Sequence, residues 1–172
     1  MSDDGPGSEQ KLRIFRASEA PELMETDIMS LQPASEIQSS GMAKLVESGY
    51  IEGADTRVLI NLPGFSLVKA WFKKDYPLAL HSHDSDCLYY VVAGSLRMGR
   101  ETLGPGDGFF IEANVPYTYT PGPEGVEVLE FRHATHFDFV NHANSAAFYS
   151  RAAKTIADNL QDWRRAEPPS AL

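Results

Sequence analysis

The sequence predicts an all-β sandwich or barrel with a helix on each flank. Three observations predict it. From Arg57 to Arg132 the chain runs in short segments rich in β-branched and aromatic residues. Strong turn signals separate those segments at nearly even spacing. On both sides of this block the apolar period changes to a helical one.

Residues Met1 to about Gln10 are polar, acidic and Gly/Pro-containing, so they bury too little surface to offset their chain entropy and are expected to form a loose tail. From Pro33 to Ser48 the pattern is helical, with Met42, Leu45 and Val46 at i, i+3, i+4 spacing before Gly49 ends the run. Strands are expected at Arg57 to Leu62, Ser66 to Lys73, Leu88 to Val92, Leu96 to Met98, Gly108 to Ile111, Tyr117 to Thr120 and Val126 to Arg132. Turns are expected at Leu62-Pro63-Gly64, Ala93-Gly94, Gly104-Pro105-Gly106-Asp107 and Thr120-Pro121-Gly122-Pro123. From Asn144 to Arg165 a stripe of Phe148, Ala152, Ile156, Leu160 and Trp163 marks a second helix, which should cover the barrel exterior or a second subunit. The division is a tail and helical arm over 1–49, a barrel over 50–137, and a C-terminal helix and tail over 138–172.

The length of 172 residues leaves room for one such domain. The net charge of −9 repels phosphate backbones and anionic headgroups, so neither nucleic acid nor a membrane surface is an expected partner. Cys87, the single cysteine, excludes an intrachain disulfide, and the first residues lack the basic and apolar stretches of an export signal; a cytoplasmic location is expected. No apolar run approaches the roughly 20 residues needed to cross a bilayer.

The richest stretch is His81-Ser82-His83-Asp84-Ser85-Asp86-Cys87. In an extended segment, residues two apart project from one face, so both imidazoles would enter one space. Two imidazoles from one strand are a natural start to a metal site. The plainer alternative is a pair of surface histidines beside an acidic turn, in which Asp84 and Asp86 bond their own backbone.

The stretch from Tyr76 to Thr120 resembles the cupin superfamily. His81 and His83 match the histidine pair of the first cupin motif and Gly94 its closing glycine. The turn Pro105-Gly106-Asp107, followed by Gly108-Phe109-Phe110-Ile111 and then Val115-Pro116-Tyr117, matches the second motif. The resemblance implies a double-stranded β-helix, a jelly-roll-like barrel, with a metal site inside. Two of its four ligand positions differ here: Cys87 stands where the motif has glutamate and Tyr117 where it has histidine. The implied ligand set is therefore His81, His83, Cys87 and Tyr117, for Fe, Mn, Ni or Zn. Cys87 at that position also resembles certain thiol dioxygenases, but those retain the third histidine that Tyr117 replaces.

If Cys87 faces inward, parity along its strand puts Tyr89 on the same face, and Tyr117 and Tyr119 share another, so the pocket is expected to be aromatic. The leading functional expectation is a metal-dependent enzyme, of dioxygenase, isomerase or lyase type, acting on a small oxygenated or carboxylated compound. The alternatives are a metal-free binding or sensing module, and a metal-free epimerase-like enzyme using His83 and Tyr117 as base and acid. Exposed sheet edges need cover, and a homodimer is expected.

Overall fold

The computed structural model describes residues 12–170, so the expected tail at Met1 to Gln10 lies outside the described residues. The element order is β1 (Met29–Leu31), α1 (Glu36–Glu47), β2 (Ala54–Leu62), β3 (Phe65–Phe72), β4 (His81–Ser82), β5 (Cys87–Met98), β6 (Glu101–Leu103), β7 (Gly108–Ile111), β8 (Thr120–Arg132), β9 (Phe137–Asn141) and α2 (Ala146–Trp163). A six-stranded sheet runs β2-β3-β8-β5-β6, with β7 also paired to β5. A smaller sheet runs β1-β9-β4. A bridge between His81 and Tyr117 ties β4 to the segment that leads into β8. The β-barrel with flanking helices is the fold the sequence predicts. No described helix is long and apolar enough to cross a membrane.

Two expected turns are not turns. Ala93-Gly94 lies inside a continuous β5, where the register against β8 slips between Val91 and Ala93 and again between Gly94 and Leu96. Gly94 has φ 71°, and a Cβ there would stand 2.2 Å from the Gly125 carbonyl oxygen. The glycine therefore marks a β-bulge, which bends a strand without ending it. Thr120-Pro121-Gly122-Pro123 likewise belongs to β8, with Pro121 opposite Leu96. Proline lacks only the donor, and the Pro121 carbonyl accepts from the Asp75 N–H. The strand expected at Tyr117 to Thr120 reduces to the single bridge at Tyr117 before β8 begins.

α1 begins on a capping box. The Ser35 hydroxyl accepts from the Gln38 N–H, and the Gln38 side chain accepts from the Ser35 N–H. The Gln38 amide then donates to the Asn141 carbonyl at 2.6 Å, tying the arm to β9. α2 buries Tyr149, Ala152, Ala153, Ile156 and Trp163, with Phe148 and Leu160 partly covered. Its stripe is wider than predicted and packs on α1 and one end of the barrel. Gly41 of α1 permits this contact, because a Cβ there would strike the Tyr149 ring at 2.3 Å.

Candidate functional site

Strand parity holds from Cys87 to Val91. Cys87, Tyr89 and Val91 are buried, while Leu88 and Tyr90 face out. β4 and the residue that follows it bury both histidines, and His81, His83, Cys87, Tyr89, Tyr117 and Tyr119 are each no more than 7% exposed. The His81 ring centroid lies 5.1 Å from that of His83 and 4.4 Å from that of Tyr117. Tyr89 stacks on Phe109 at 4.4 Å and meets Tyr117 edge-on at 5.7 Å. All six predicted site residues share the barrel interior.

Parity also governs β8, where Val126, Val128, Glu130 and Arg132 follow one another on the inward face. Arg132 is fully buried, donates from Nη1 to Glu130 Oε2 at 2.7 Å and from Nη2 to the Tyr89 hydroxyl at 3.2 Å, and lies 4.0 Å over the Phe137 ring. Sequence reasoning missed this pair. Its signal was the i, i+2 spacing of opposite charges on a strand whose other inward residues are valines. Phe137 and Phe139 of β9, which wall in His83, were also missed because β9 was not predicted.

The direction of each hydrogen bond follows from what its partner can do. His81 Nδ1 lies 2.7 Å from the Ala79 carbonyl oxygen, and His83 Nδ1 lies 2.8 Å from the Asp138 carbonyl oxygen. A carbonyl only accepts, so each Nδ1 carries the proton and each Nε2 holds a lone pair. Guanidinium only donates, so the Tyr89 oxygen accepts from Arg132. The Tyr89 and Tyr117 hydroxyls are hydrogen-bonded to each other, and because a hydroxyl oxygen has two lone pairs, either one can donate. When Tyr89 donates, the Tyr117 O–H is available to a further acceptor. The interior thus offers two acceptor nitrogens beside a pair of hydrogen-bonded phenols.

Burial sets the charges. Desolvation, aided by Arg132, holds His81 at a pKa of about 4 and His83 at about 3, so both are neutral at pH 7. The Cys87 thiol is pushed up to about 12 by burial, and burial also raises the phenols of Tyr117, Tyr89 and Tyr119. Burial opposes the charge on Arg132, but Glu130 beside it keeps the guanidinium protonated.

Among the described residues, no three His, Cys, Asp or Glu side chains gather closely enough to hold an ion. The two imidazoles are suited as ligands, since an Nδ1 anchored on a carbonyl is how ligating histidines are commonly oriented. Tyr117 is engaged by Tyr89, and Arg132 places a cation in the same space.

No protein-family model matches the sequence, and no curated protein matches it. Solved structures do. The polyketide cyclase RemF from Streptomyces resistomycificus superposes with a TM-score of 0.57 at 17% identity, over 87% of this chain and 99% of that one. An RmlC-like cupin from Shewanella frigidimarina gives 0.42 at 25% identity, over 47% and 76%. KdgF from Halomonas gives 0.38 at 20% identity, over 46% and 78%.

Proposed function

We propose that this chain, a cupin by fold, binds a small oxygenated molecule in its barrel and moves a proton on it without a metal. One observation carries this reading: His81 and His83 Nε2 are left as acceptors beside the hydrogen-bonded Tyr117 hydroxyl, which supplies a donor when Tyr89 donates to it. A ligand complementary to that set presents a carbonyl-type oxygen to Tyr117 and an acidic C–H or O–H to an imidazole. Tyr117 acts as the acid, and His83, with His81 beside it, as the base. A neutral imidazole next to Arg132 is a weak base in the resting site, but the negative charge that develops on the substrate oxygen offsets that penalty as the proton moves. Enolisation of this kind underlies isomerisation, epimerisation and carbon–carbon cyclisation, and the name of the whole-length structural neighbour, a polyketide cyclase, lies within that range.

Proton exchange tests the proposal. Small hydroxyketones incubated with the protein in heavy water should lose their α-proton signals by NMR, with and without a chelator. Tyr117→Phe and His83→Gln should each lower the rate by roughly 100-fold. The Nδ1 anchoring favours a second reading, in which a divalent ion binds both Nε2 atoms and supplies Lewis acidity. Exchange that requires added Fe, Mn, Ni or Zn would select it. Tight ligand binding without exchange would select the binding module.

The partner proposed for the outer sheet face is a second copy of the chain. Leu88, Tyr90 and Phe110 are 47%, 45% and 59% exposed on adjacent strands, and a strand apolar on both faces is normally covered on both. Mass measurement in solution should give a dimer, and Leu88→Lys should yield a monomer.

A further inference from the structure

A cleft of about 510 Å³ lies outside the barrel, between α2 and the segments flanking the interior. That volume lies within the roughly 300–1,000 Å³ of small-molecule sites. Leu78 comes from the β3–β4 connection, Tyr119 from the lead into β8, and Phe148, Ala152 and Thr155 from one stripe of α2. Tyr119 belongs to both spaces. Its ring stands edge-on to Tyr89 at 6.4 Å and to Phe109 at 6.0 Å within the barrel, and the same residue lines the cleft. Among the described residues no hydrogen bond holds the Tyr119 hydroxyl, whereas Tyr89, Tyr117 and Tyr149 are each tethered. The ring is kept in place by packing alone, and rotation about its two side-chain bonds would open the wall.

The barrel interior is little exposed. Its six interior site residues are each 7% exposed or less. Beside the histidines the chain is tied by hydrogen bonds: Asn114 N–H donates to the His83 carbonyl at 2.6 Å, Ala113 N–H to Asp86 Oδ1 at 2.8 Å, and Asp138 N–H to Asp84 Oδ1 at 2.6 Å. A ligand entering there would have to break charge-assisted and backbone hydrogen bonds, whereas one entering past Tyr119 displaces a ring held by contact.

We propose that the α2 cleft is the route by which a small molecule reaches the barrel interior, with the Tyr119 ring as its gate. The apolar body of the ligand rests against Leu78 and Phe148 while its oxygenated head reaches the histidines. The inference rests on the barrel interior being a ligand site, as proposed above, and holds whether the ligand is turned over or only bound.

Cys87, the single cysteine, is a reporter already in place inside the barrel. Methyl methanethiosulfonate reaching it forms a methyl disulfide and releases methanesulfinate, with the thiol proton passing to solvent, and mass spectrometry follows the rate. Tyr119→Ala should accelerate labelling several-fold, and Thr155→Trp, which fills the cleft from α2, should slow it several-fold. Val115→Trp, beside the hydrogen-bonded side, should leave it unchanged. The rate of global unfolding is measured on every variant. Labelling that tracks unfolding, ignores Thr155→Trp, or slows in Val115→Trp overturns the route. Labelling that follows the cleft in protein showing neither proton exchange nor ligand binding retains the route and rejects the function; exchange with labelling indifferent to the cleft does the reverse.

Discussion

Two groups of buried aromatic and imidazole side chains meet in this barrel, and they differ in how completely their polar atoms are satisfied. Under α2, Trp163 Nε1 donates to the Lys74 carbonyl at 2.9 Å, and the Tyr149 hydroxyl both donates to the Ala143 carbonyl and accepts from the Asn141 amide. Those bonds complete the inventory of an indole and come close to completing that of a phenol. At the histidines only half of each ring is satisfied: Nδ1 is fixed on a carbonyl, and among the described residues Nε2 has no partner. The first arrangement holds a fold together. The second forgoes stability to present lone pairs, which is characteristic of sites that bind something else.

The sharpest way to break this comparison is to remove the apolar anchor. Trp163 is 1% exposed and fills the contact between α2, Gly53 and Tyr76, so Trp163→Ala should destabilise by about 3–5 kcal/mol in denaturant unfolding. A loss below about 1 kcal/mol would mean that α2 is not part of the cooperative unit.

A smaller effect belongs to the histidines, and its sign is set by their depressed pKa values. Each is neutral when folded down to pH about 4 or 3, while the unfolded chain takes up protons from about 6.5 downward. Between those limits the unfolded state binds more protons, so stability falls as pH falls, by at most about 1.4 kcal/mol per pH unit for each histidine. Melting temperature measured from pH 7 to 4.5 should fall accordingly. The double variant His81→Asn/His83→Asn should flatten the slope while changing stability at pH 7 by less than Trp163→Ala. A slope unchanged in that variant would sink the assignment of neutral buried imidazoles.

Much of the site was legible because it depends on local parity. His81 and His83 two apart, Cys87 and Tyr89 two apart, and the turn at Pro105-Gly106-Asp107 all follow from spacing along one or two strands. The Glu130–Arg132 pair obeys the same rule and could have been read from β8. The locks on the imidazoles could not, because Ala79 and Asp138 offer only backbone carbonyls, which carry no side-chain signal. The errors at Gly94 and Pro121 share a cause. Glycine and proline punctuate a chain whether the result is a turn or a bulge, and only the partner strand decides which.

The parallel pairing of β1 with β9 has a consequence for the order in which the molecule is built. Ser30 meets His136 across 106 residues of chain, and Gln32 meets Asp138 at the same separation. On a ribosome adding about 5–20 residues per second, β1 has no strand partner until roughly 5–20 seconds after it is synthesised. Pairing it requires closing a loop of 106 residues, which places that pairing late in folding. A strand made before β3, β5 and β8 thus settles after them. In kinetic experiments, the hydrogen exchange of β1 should therefore become protected after that of β3, β5 and β8.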